Sequence, residues 1–415
     1  MIVDENKDDL GIFRYLIIFF FFSVGLGIEN KYINISGNFG FGDLGIFLIS
    51  IYLILYQRKH SSLDLYIFIP FVFGFISLIS LLNLLNQGFD LHPSVIGYVG
   101  RWFYYSLLLF VLSKFFINIH NIWTSIIYIT LGFLTQTLIV WVNWFYNGVS
   151  FMGIPTLAFI EEYNANTIGF YSSIAFALTL SFLYFPIKYY KNIFRILVIF
   201  LLVLFFITGF LSISKGAWAC ILISCATFFL LRFKINFYSV SFSLLLVFLI
   251  TLVSYINSDY YGLLEIIDAR LNSSGGSNAQ RADMFFSTFR MMGDYLWFGA
   301  GPKSYELYGF YYVDGGHMST DPHTAIGGLF AELGIFAGFY FLFIICILLP
   351  LYLFHLYRNA SNENKPILGS LICLWIILFL FSFLSGLSVS DKLLWLLLAI
   401  IYGFKRHITG EKNVI

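Results

Sequence analysis

Long apolar runs occupy most of the chain, and they constrain its fold more than any other feature. Twelve of them reach or approach the roughly 20 residues that a membrane-spanning helix needs. Only 11% of the residues are charged, against roughly 25% in soluble domains, so a single protein core cannot bury so much apolar surface. Lipid offers the backbone no hydrogen-bond partners, which favours helices. We therefore predict an all-α polytopic integral membrane protein with about twelve transmembrane helices, forming one transmembrane domain over residues 1–415. The runs cover residues of about 12–28, 43–57, 65–85, 96–117, 123–146, 166–187, 196–213, 216–232, 236–256, 324–354, 366–387 and 391–404.

The distribution of Lys and Arg predicts the orientation of the helices. With a cytoplasmic N-terminus, fifteen basic residues fall on the cytoplasmic side and eight on the opposite side. Four of those eight lie in one long polar loop, Asn257–His323, and long loops are translocated largely regardless of their charge. The useful comparison is therefore fifteen basic residues on the cytoplasmic side against four on the opposite side outside the long loop. Both termini are therefore expected in the cytoplasm, and the large loop is expected on the outer face.

Charge and cysteine usage exclude several classes of partner. The formal net charge of +1 argues against nucleic acid and against a strongly polyanionic partner. The four cysteines all lie in apolar stretches, without CxxC spacing or nearby histidines. Disulfides and a zinc site are therefore not expected, and no cofactor is predicted.

The large loop contains one predicted amphipathic helix, Ala279–Phe298, which suits the membrane surface because it is too polar to span. Arg281 and Arg290 are nine residues apart and therefore lie on opposite sides of this helix. Arg290 has Asp294 and Asp283 near its own face and can be satisfied by surface ion pairs. Arg281 has apolar neighbours at i+3 and i+4 and is placed to bind a lipid phosphate. The alternative for Arg281 is a side chain that snorkels to water.

Two glycine-containing segments flank this helix. The run Asn272–Asn278 (NSSGGSN) predicts a flexible connector. The run Phe298–Pro302 (FGAGP) predicts a tight and exposed turn that leads the chain back from the surface helix.

The residues at the end of the loop predict the start of a helix. Asp321 before Pro322 is a strong start signal, with the carboxylate as the cap and proline in the first turn. His323 would then lie in the first turn, where the helix dipole disfavours a second positive charge. A neutral histidine at this boundary can act as a general base, and the alternative is a capping or interfacial histidine. His317 follows a Gly-Gly turn and is less well positioned.

Charged residues at the membrane boundary are candidates for function because they are costly there. Lys215 lies in the polar break Ser212–Gly216, where it can bind a diphosphate as a point charge. Its alternative role is that of a solvated lysine in a short loop. Arg101 opens the fourth predicted helix after an outward loop. Of the adjacent acids Glu161 and Glu162, at most one is expected to face a site.

Other ionisable residues near the predicted spans have expected structural roles. Glu332 should pair with a neighbouring helix or fix the packing beside Gly334. Asp391 and Lys392, at an outward turn, are expected to satisfy each other.

The order of these features resembles one known family. The break SxSKGAW at Ser212 is followed by RxxM at Arg281, by WFGAG at Trp297 and by DPHTx7ELGx3G at Asp321. This order is similar to that of the O-antigen ligase/polymerase superfamily, which includes Wzy-type polymerases, WaaL-type lipid A-core ligases and oligosaccharyltransferase relatives. The resemblance covers roughly residues 160–345.

The resemblance implies a metal-independent, GT-C-like glycosyltransferase of the bacterial inner membrane. Such enzymes transfer glycan from undecaprenyl diphosphate to an acceptor hydroxyl at the periplasmic face. It implies that Lys215 and Arg281 bind the diphosphate and that His323 is catalytic, near the acceptor. Lysine at 215 departs from the usual arginine and loses its bidentate fork, and Thr324 stands where relatives often have Asn or Leu. Further candidates are Arg101 for the diphosphate and Asp321, Glu161, Arg290 and His317 as supporting residues.

Three functions remain open at this point. The Phe-, Ile- and Tyr-rich composition resembles O-antigen polymerases, which join lipid-linked repeat units and for which a Wzz-type chain-length regulator is a plausible partner. A ligase, with lipid A-core as acceptor, has similar length and helix number. A polysaccharide flippase belongs to another class. Transporters usually carry repeated halves and midplane charges, whereas the charges here collect at the outer boundary.

Overall fold

The fold is described from a computed structural model. It describes residues 13–26, 34–36, 39–56, 65–88, 93–116, 118–147, 150–151, 154–155, 159–160, 163–183, 191–212, 214–232, 275–313, 324–384 and 392–409.

Helices dominate the described residues. Those before the large loop are α1 (Phe13–Leu26), α2 (Phe41–Tyr56), α3 (Phe68–Asn86), α4 (Pro93–Phe115), α5 (Ile119–Asn147), α6 (Ala165–Phe182), α7 (Lys191–Leu211) and α8 (Lys215–Arg232). Within the large loop lie α9 (Gly275–Asp294) and α10 (Ser304–Tyr308). After it come α11 (Ala325–Leu342), α12 (Leu349–Asn359), α13 (Lys365–Leu384) and α14 (Lys392–Thr409). A π-helical segment, Phe343–Leu348, joins α11 to α12, and 3-10 turns cover Leu65–Ile67 and Gly309–Tyr312.

Among the described residues, very short strands form three antiparallel hairpins outside the helices. They are β1 (Asn34–Ser36) with β2 (Phe39–Gly40), β3 (Ser150–Phe151) with β4 (Ile154–Pro155), and β5 (Phe159–Ile160) with β6 (Tyr163–Asn164).

The predicted helical architecture is confirmed in its main features. Within the described residues, six helices are long and apolar enough to cross a membrane. They are Phe68–Asn86, Pro93–Phe115, Ile119–Tyr146, Asn192–Leu211, Ala325–Asn359 and Lys365–Ser382. Shorter apolar helices lie at Phe13–Leu26, Gly42–Leu55 and Lys215–Leu231. The predicted stretch 236–256 lies outside the described residues, and the total of twelve spans stays a prediction.

The chain forms two compact units, of which the first contains Met1–Gln136, Met284–Ala360 and Leu378–Ile415. Its core includes an aromatic cluster contributed by α3, α4 and α14. Trp102 stacks on Phe73 with ring centroids 4.8 Å apart, and Trp395 stacks on Tyr105 at 5.4 Å. These rings are buried, so the cluster holds the consecutive helices α3 and α4 against the sequence-distant α14.

A buried ionic group also joins helices of the first unit. Lys392 at the start of α14 donates to Asp43 near the start of α2 over 2.5 Å, and the Tyr104 hydroxyl of α4 donates to the same carboxylate. Asp43 is 1% exposed and Lys392 is 13% exposed. Lys392 therefore pairs with a residue 349 positions away, whereas we expected Asp391 as its partner. Asp391 itself lies outside the described residues.

The second unit contains Thr137–Asp283 and Ser361–Ile377. Helix α6 packs against both α7 and α8 in this unit. The indole N–H of Trp141 donates to the Thr208 hydroxyl over 2.9 Å, and the Cys373 thiol donates to the Ser224 carbonyl over 3.4 Å. The polar break Ser212–Gly216, which contains Lys215, lies in this second unit.

Candidate functional site

The polar break between α7 and α8 is a structured helix start. Ser214 caps α8 through its hydroxyl, which accepts from the Ala217 N–H at 3.4 Å and donates to the Asn166 amide oxygen at 3.1 Å. Lys215 is the first residue of α8 and is half-buried. The predicted break is confirmed, and it places a cation at the positive end of a helix, where the backbone N–H groups already favour an anion.

Helix α9 carries both loop arginines. It begins at Gly275, four residues before the predicted start, so the Gly/Ser run is partly helical and only in part a connector. The backbone of Arg281 lies in α9, and its side chain is outside the described part. Arg290 is exposed and donates from Nη1 to the Tyr312 carbonyl over 2.6 Å. Asp294 accepts from the Tyr312 hydroxyl over 2.7 Å. Arg290 and Asp294 of α9 therefore both bond to Tyr312.

Helix α11 is broken at Gly334, where the loop turn after α9 docks on it. Gly334 has φ 80° and ψ −173° inside an otherwise helical run. The Ile335 N–H, which would bond to the Ala331 carbonyl in a regular helix, instead donates to the Leu296 carbonyl over 2.9 Å. The Ala331 carbonyl accepts from the Ala300 N–H, also at 2.9 Å. The helix therefore exchanges internal backbone bonds for bonds to the loop.

The Phe298–Pro302 turn occupies this break. The Gly301 N–H donates to the Glu332 carbonyl over 3.0 Å, next to the bond from Ala300. Gly299 has φ +69°, and a Cβ there would lie 2.3 Å from the carbonyl carbon of Glu332. The turn is tight, as predicted, but the prediction of an exposed turn is wrong. Gly299 to Pro302 are buried, because the freed carbonyls of α11 need partners that lipid cannot provide.

Three polar side chains at or just after the end of α3 bond to the turn or to the broken part of α11. The Ser80 hydroxyl donates to the Glu332 carbonyl over 2.6 Å, and the Asn83 amide donates to the Gly299 carbonyl over 2.8 Å. One turn later, the Gln87 amide donates to the Ala300 carbonyl over 3.3 Å. These three residues were not among the predicted site residues, although their polar spacing at i, i+3 and i+7 in an apolar helix was a signal for them.

The Glu332 side chain fixes the short helix α10. Its carboxylate is buried and accepts hydrogen bonds from the backbone N–H groups of Lys303 and Tyr305. Lys303 adopts a left-handed conformation with φ 64°, and its ammonium pairs with Glu306. The expected role of Glu332 was to pair with a neighbouring helix or to fix the packing beside Gly334. The described role is that of a cap for a loop helix.

The start of α11 differs from the expected one. Thr324 is the N-cap, with extended φ and ψ, and its hydroxyl accepts from the Gly327 N–H at 3.3 Å. The helix begins at Ala325. His323 therefore precedes the helix, and the prediction that it lies in the first helical turn, with Asp321 as the cap, is wrong. A threonine directly before the run satisfies the first orphan N–H groups without the upstream acid.

The remaining predicted site residues divide into described and undescribed ones. Arg101 is half-buried and lies within α4, which begins at Pro93, so it does not open that helix as expected. Outside the described residues lie His323, Asp321, Glu161 and His317.

Comparison with known proteins bears directly on this region. A family model described as O-antigen ligase matches residues 200–342. The resemblance to the O-antigen ligase/polymerase superfamily is confirmed. The match covers about a third of the chain, from α7 to the end of α11, and it contains both the α8 start and the broken α11. None of the curated proteins compared with the chain matches it.

The family match indicates a coarse class of activity, and it covers some of the predicted site residues but not others. It indicates O-antigen ligase/polymerase-type activity, a glycosyltransferase-like reaction on a lipid-linked polysaccharide. With the six apolar helices it indicates an integral membrane protein. Lys215, Arg281 and His323 lie inside the matched segment, whereas Arg101 and Glu161 lie outside it.

Proposed function

We propose that the chain is an O-antigen or related surface-polysaccharide polymerase. It moves a glycan from undecaprenyl diphosphate onto a lipid-linked repeat unit at the periplasmic face of the bacterial inner membrane. The observation that carries this proposal is the superfamily match over 200–342, within which the SxSKGAW, RxxM and DPHT motifs follow in the expected order.

The proposed reaction is a direct displacement at the anomeric carbon. The acceptor hydroxyl attacks the anomeric carbon while the bond from that carbon to the diphosphate oxygen breaks. The diphosphate leaves with the electron pair of the broken bond. His323 takes the hydroxyl proton as general base. Lys215 and Arg281 stabilise the negative charge that develops on the leaving diphosphate, with Arg101 as a further cation.

Other residues support this site in the proposal. Asp321 and His317 precede the proposed base in the loop, and Glu161 is the candidate carboxylate from another outward segment. Arg290 supports the loop structure through its bond to the Tyr312 carbonyl. A Wzz-type chain-length regulator is the proposed partner of a polymerase of this kind.

A ligase is the second candidate, because the matched family model carries that description. Ligase and polymerase would share the donor and the leaving group, and they would differ only in the acceptor. In the ligase the acceptor hydroxyl belongs to lipid A-core.

Deletion of the gene and analysis of the lipopolysaccharide on a gel tests these proposals. Core capped with a single repeat unit supports the polymerase. Bare core with accumulating lipid-linked polymer supports the ligase. Loss of all periplasmic lipid-linked glycan would contradict both and would support a flippase.

A further inference from the structure

Two aromatic side chains in close, tilted contact stand exposed on the loop, directly after α10. We call Phe310 and Tyr311 the aromatic platform. Their ring centroids are 4.0 Å apart with an interplanar angle of 35°, and the Tyr311 side chain is 76% exposed. Phe310 is 40% exposed. Neither ring belongs to the buried cluster that packs beneath α10, which includes Tyr305 and Ala300.

The platform is held by polar contacts on the α9 side. At the start of α10, the buried Tyr305 hydroxyl bonds to the Ser287 hydroxyl over 2.6 Å. Just after the platform, the Tyr312 carbonyl accepts from Arg290 and the Tyr312 hydroxyl donates to Asp294.

Glu332 holds the same segment from α11. Its carboxylate accepts from the backbone N–H groups of Lys303 and Tyr305, immediately before the platform. Contacts thus fix the chain on both sides of the two aromatic rings. Water solvates an exposed apolar surface unfavourably, and these contacts restrict the conformation of the segment that carries it. Both properties are typical of a binding surface.

The polar surroundings of the platform indicate the chemistry of its ligand. The exposed pair of Lys303 and Glu306 lies on one side in sequence, and the exposed Arg290 and Asp294 contact the other end. An acyl chain would leave these charges without water, whereas a sugar ring suits both parts. The C–H face of a pyranose packs on an aromatic ring, and its hydroxyls bond to charged groups at the rim.

We infer that the aromatic platform is a glycan subsite, on which a pyranose ring of the lipid-linked substrate stacks. This inference rests on the proposed function, and it adds a specificity-determining contact to the sugar part of the substrate. Loss of one such aromatic contact changes an equilibrium constant by about tenfold.

The binding of a free glycan tests the subsite. The full chain in lipid nanodiscs is titrated with the repeat-unit oligosaccharide released by mild acid from the polyprenyl-linked glycan of the producing strain, and binding is followed by saturation-transfer difference NMR. The variants are Tyr311→Ala, Tyr311→Trp and the double variant Phe310→Ala with Tyr311→Ala. Tyr15→Ala is the matched control, because Tyr15 is 72% exposed and lies on α1, away from the loop in sequence.

We expect Tyr311→Ala to weaken glycan binding about tenfold, the double variant to weaken it further, and Tyr311→Trp to restore it. Tyr15→Ala should match the wild type. Polymerisation by Tyr311→Ala should show a raised KM with kcat nearly unchanged, which a merely structural role would not produce.

Unchanged glycan affinity in the double variant would overturn the subsite while leaving the proposed function intact, provided that the wild type binds and polymerises. Loss of thermal stability in nanodiscs but not in detergent, with unchanged affinity, would instead identify a lipid anchor. Absence of both binding and polymerisation in the wild type would overturn the proposed function and the subsite together.

Discussion

Replacement of Gly334 by alanine should release the loop turn from α11. Gly334 has φ +80°, which costs roughly 1–3 kcal/mol for a residue with a side chain. A Cβ there would also lie 2.4 Å from the Trp297 carbonyl oxygen and 2.5 Å from the Gly299 nitrogen. Both neighbours are backbone atoms, so the turn must move away.

The magnitude follows from the bonds that such a movement breaks. Ala300, Gly301 and Ile335 each donate one backbone hydrogen bond across the break. Each bond contributes a net of about 0.5–1.5 kcal/mol. The three bonds together contribute about 1.5–4.5 kcal/mol, so their loss should reduce the local stability of the turn by about 3 kcal/mol. Since about 1.4 kcal/mol is a factor of ten, these amides should exchange with solvent about 100-fold faster.

Hydrogen exchange measured by mass spectrometry over residues 295–305 and around 335 reports this loss. Gly293→Ala is the matched control, because Gly293 is helical in α9 and a Cβ there meets nothing within 4 Å. Its exchange should be unchanged or slower, since alanine favours a helix by roughly 0.5–1 kcal/mol. Equal exchange in the Gly334→Ala variant, the Gly293→Ala variant and the wild type would refute the docking of the turn on the broken helix.

Three further perturbations test other parts of the structure. Asp43→Asn and Lys392→Met should each destabilise the protein by about 3–5 kcal/mol, because each leaves a buried charge without its partner. In thermal unfolding, the double variant should recover most of this loss. A loss in the double variant equal to the sum of the single losses would count against the pair. Glu332→Leu should speed amide exchange at Lys303 and Tyr305 by removing their acceptor, whereas Glu332→Gln should largely preserve protection, and equal exchange in the two variants would show that the carboxylate does not cap α10. Arg281→Ala should abolish polymer at normal membrane insertion while Arg290→Ala should be much milder, and equal loss on lipopolysaccharide gels would contradict their assignment to opposite faces of α9.

Much of the helical architecture was predictable because membrane solvation leaves so few options. Apart from 236–256, each predicted apolar stretch coincides with a described helix. The start of α8 at Lys215 was readable from its serines and glycine. Helix ends near polar loops were less predictable: α11 starts after a Thr324 cap and α9 starts inside a Gly/Ser run, because local capping competes with stronger-looking upstream signals.

The tertiary contacts of the site were not predictable from local patterns. Lys392 has an adjacent acid in the sequence, yet its described partner is Asp43, which only the packing of α2 against α4 and of α4 against α14 brings close. Likewise, the ELG motif at Glu332 marks a break only because the Phe298–Pro302 turn supplies the missing backbone partners. Sequence periodicity describes single elements, whereas these bonds depend on how separate elements meet.

Reconstituted synthesis tests the proposed activity most directly. The purified chain in proteoliposomes should convert undecaprenyl-diphosphate-linked repeat units into a ladder of lipid-linked polymers, releasing one undecaprenyl diphosphate for each repeat joined. His323→Ala should yield neither ladder nor released diphosphate. No ladder from the wild type, with transfer appearing only when lipid A-core is added, would contradict the polymerase and assign the chain to the ligases.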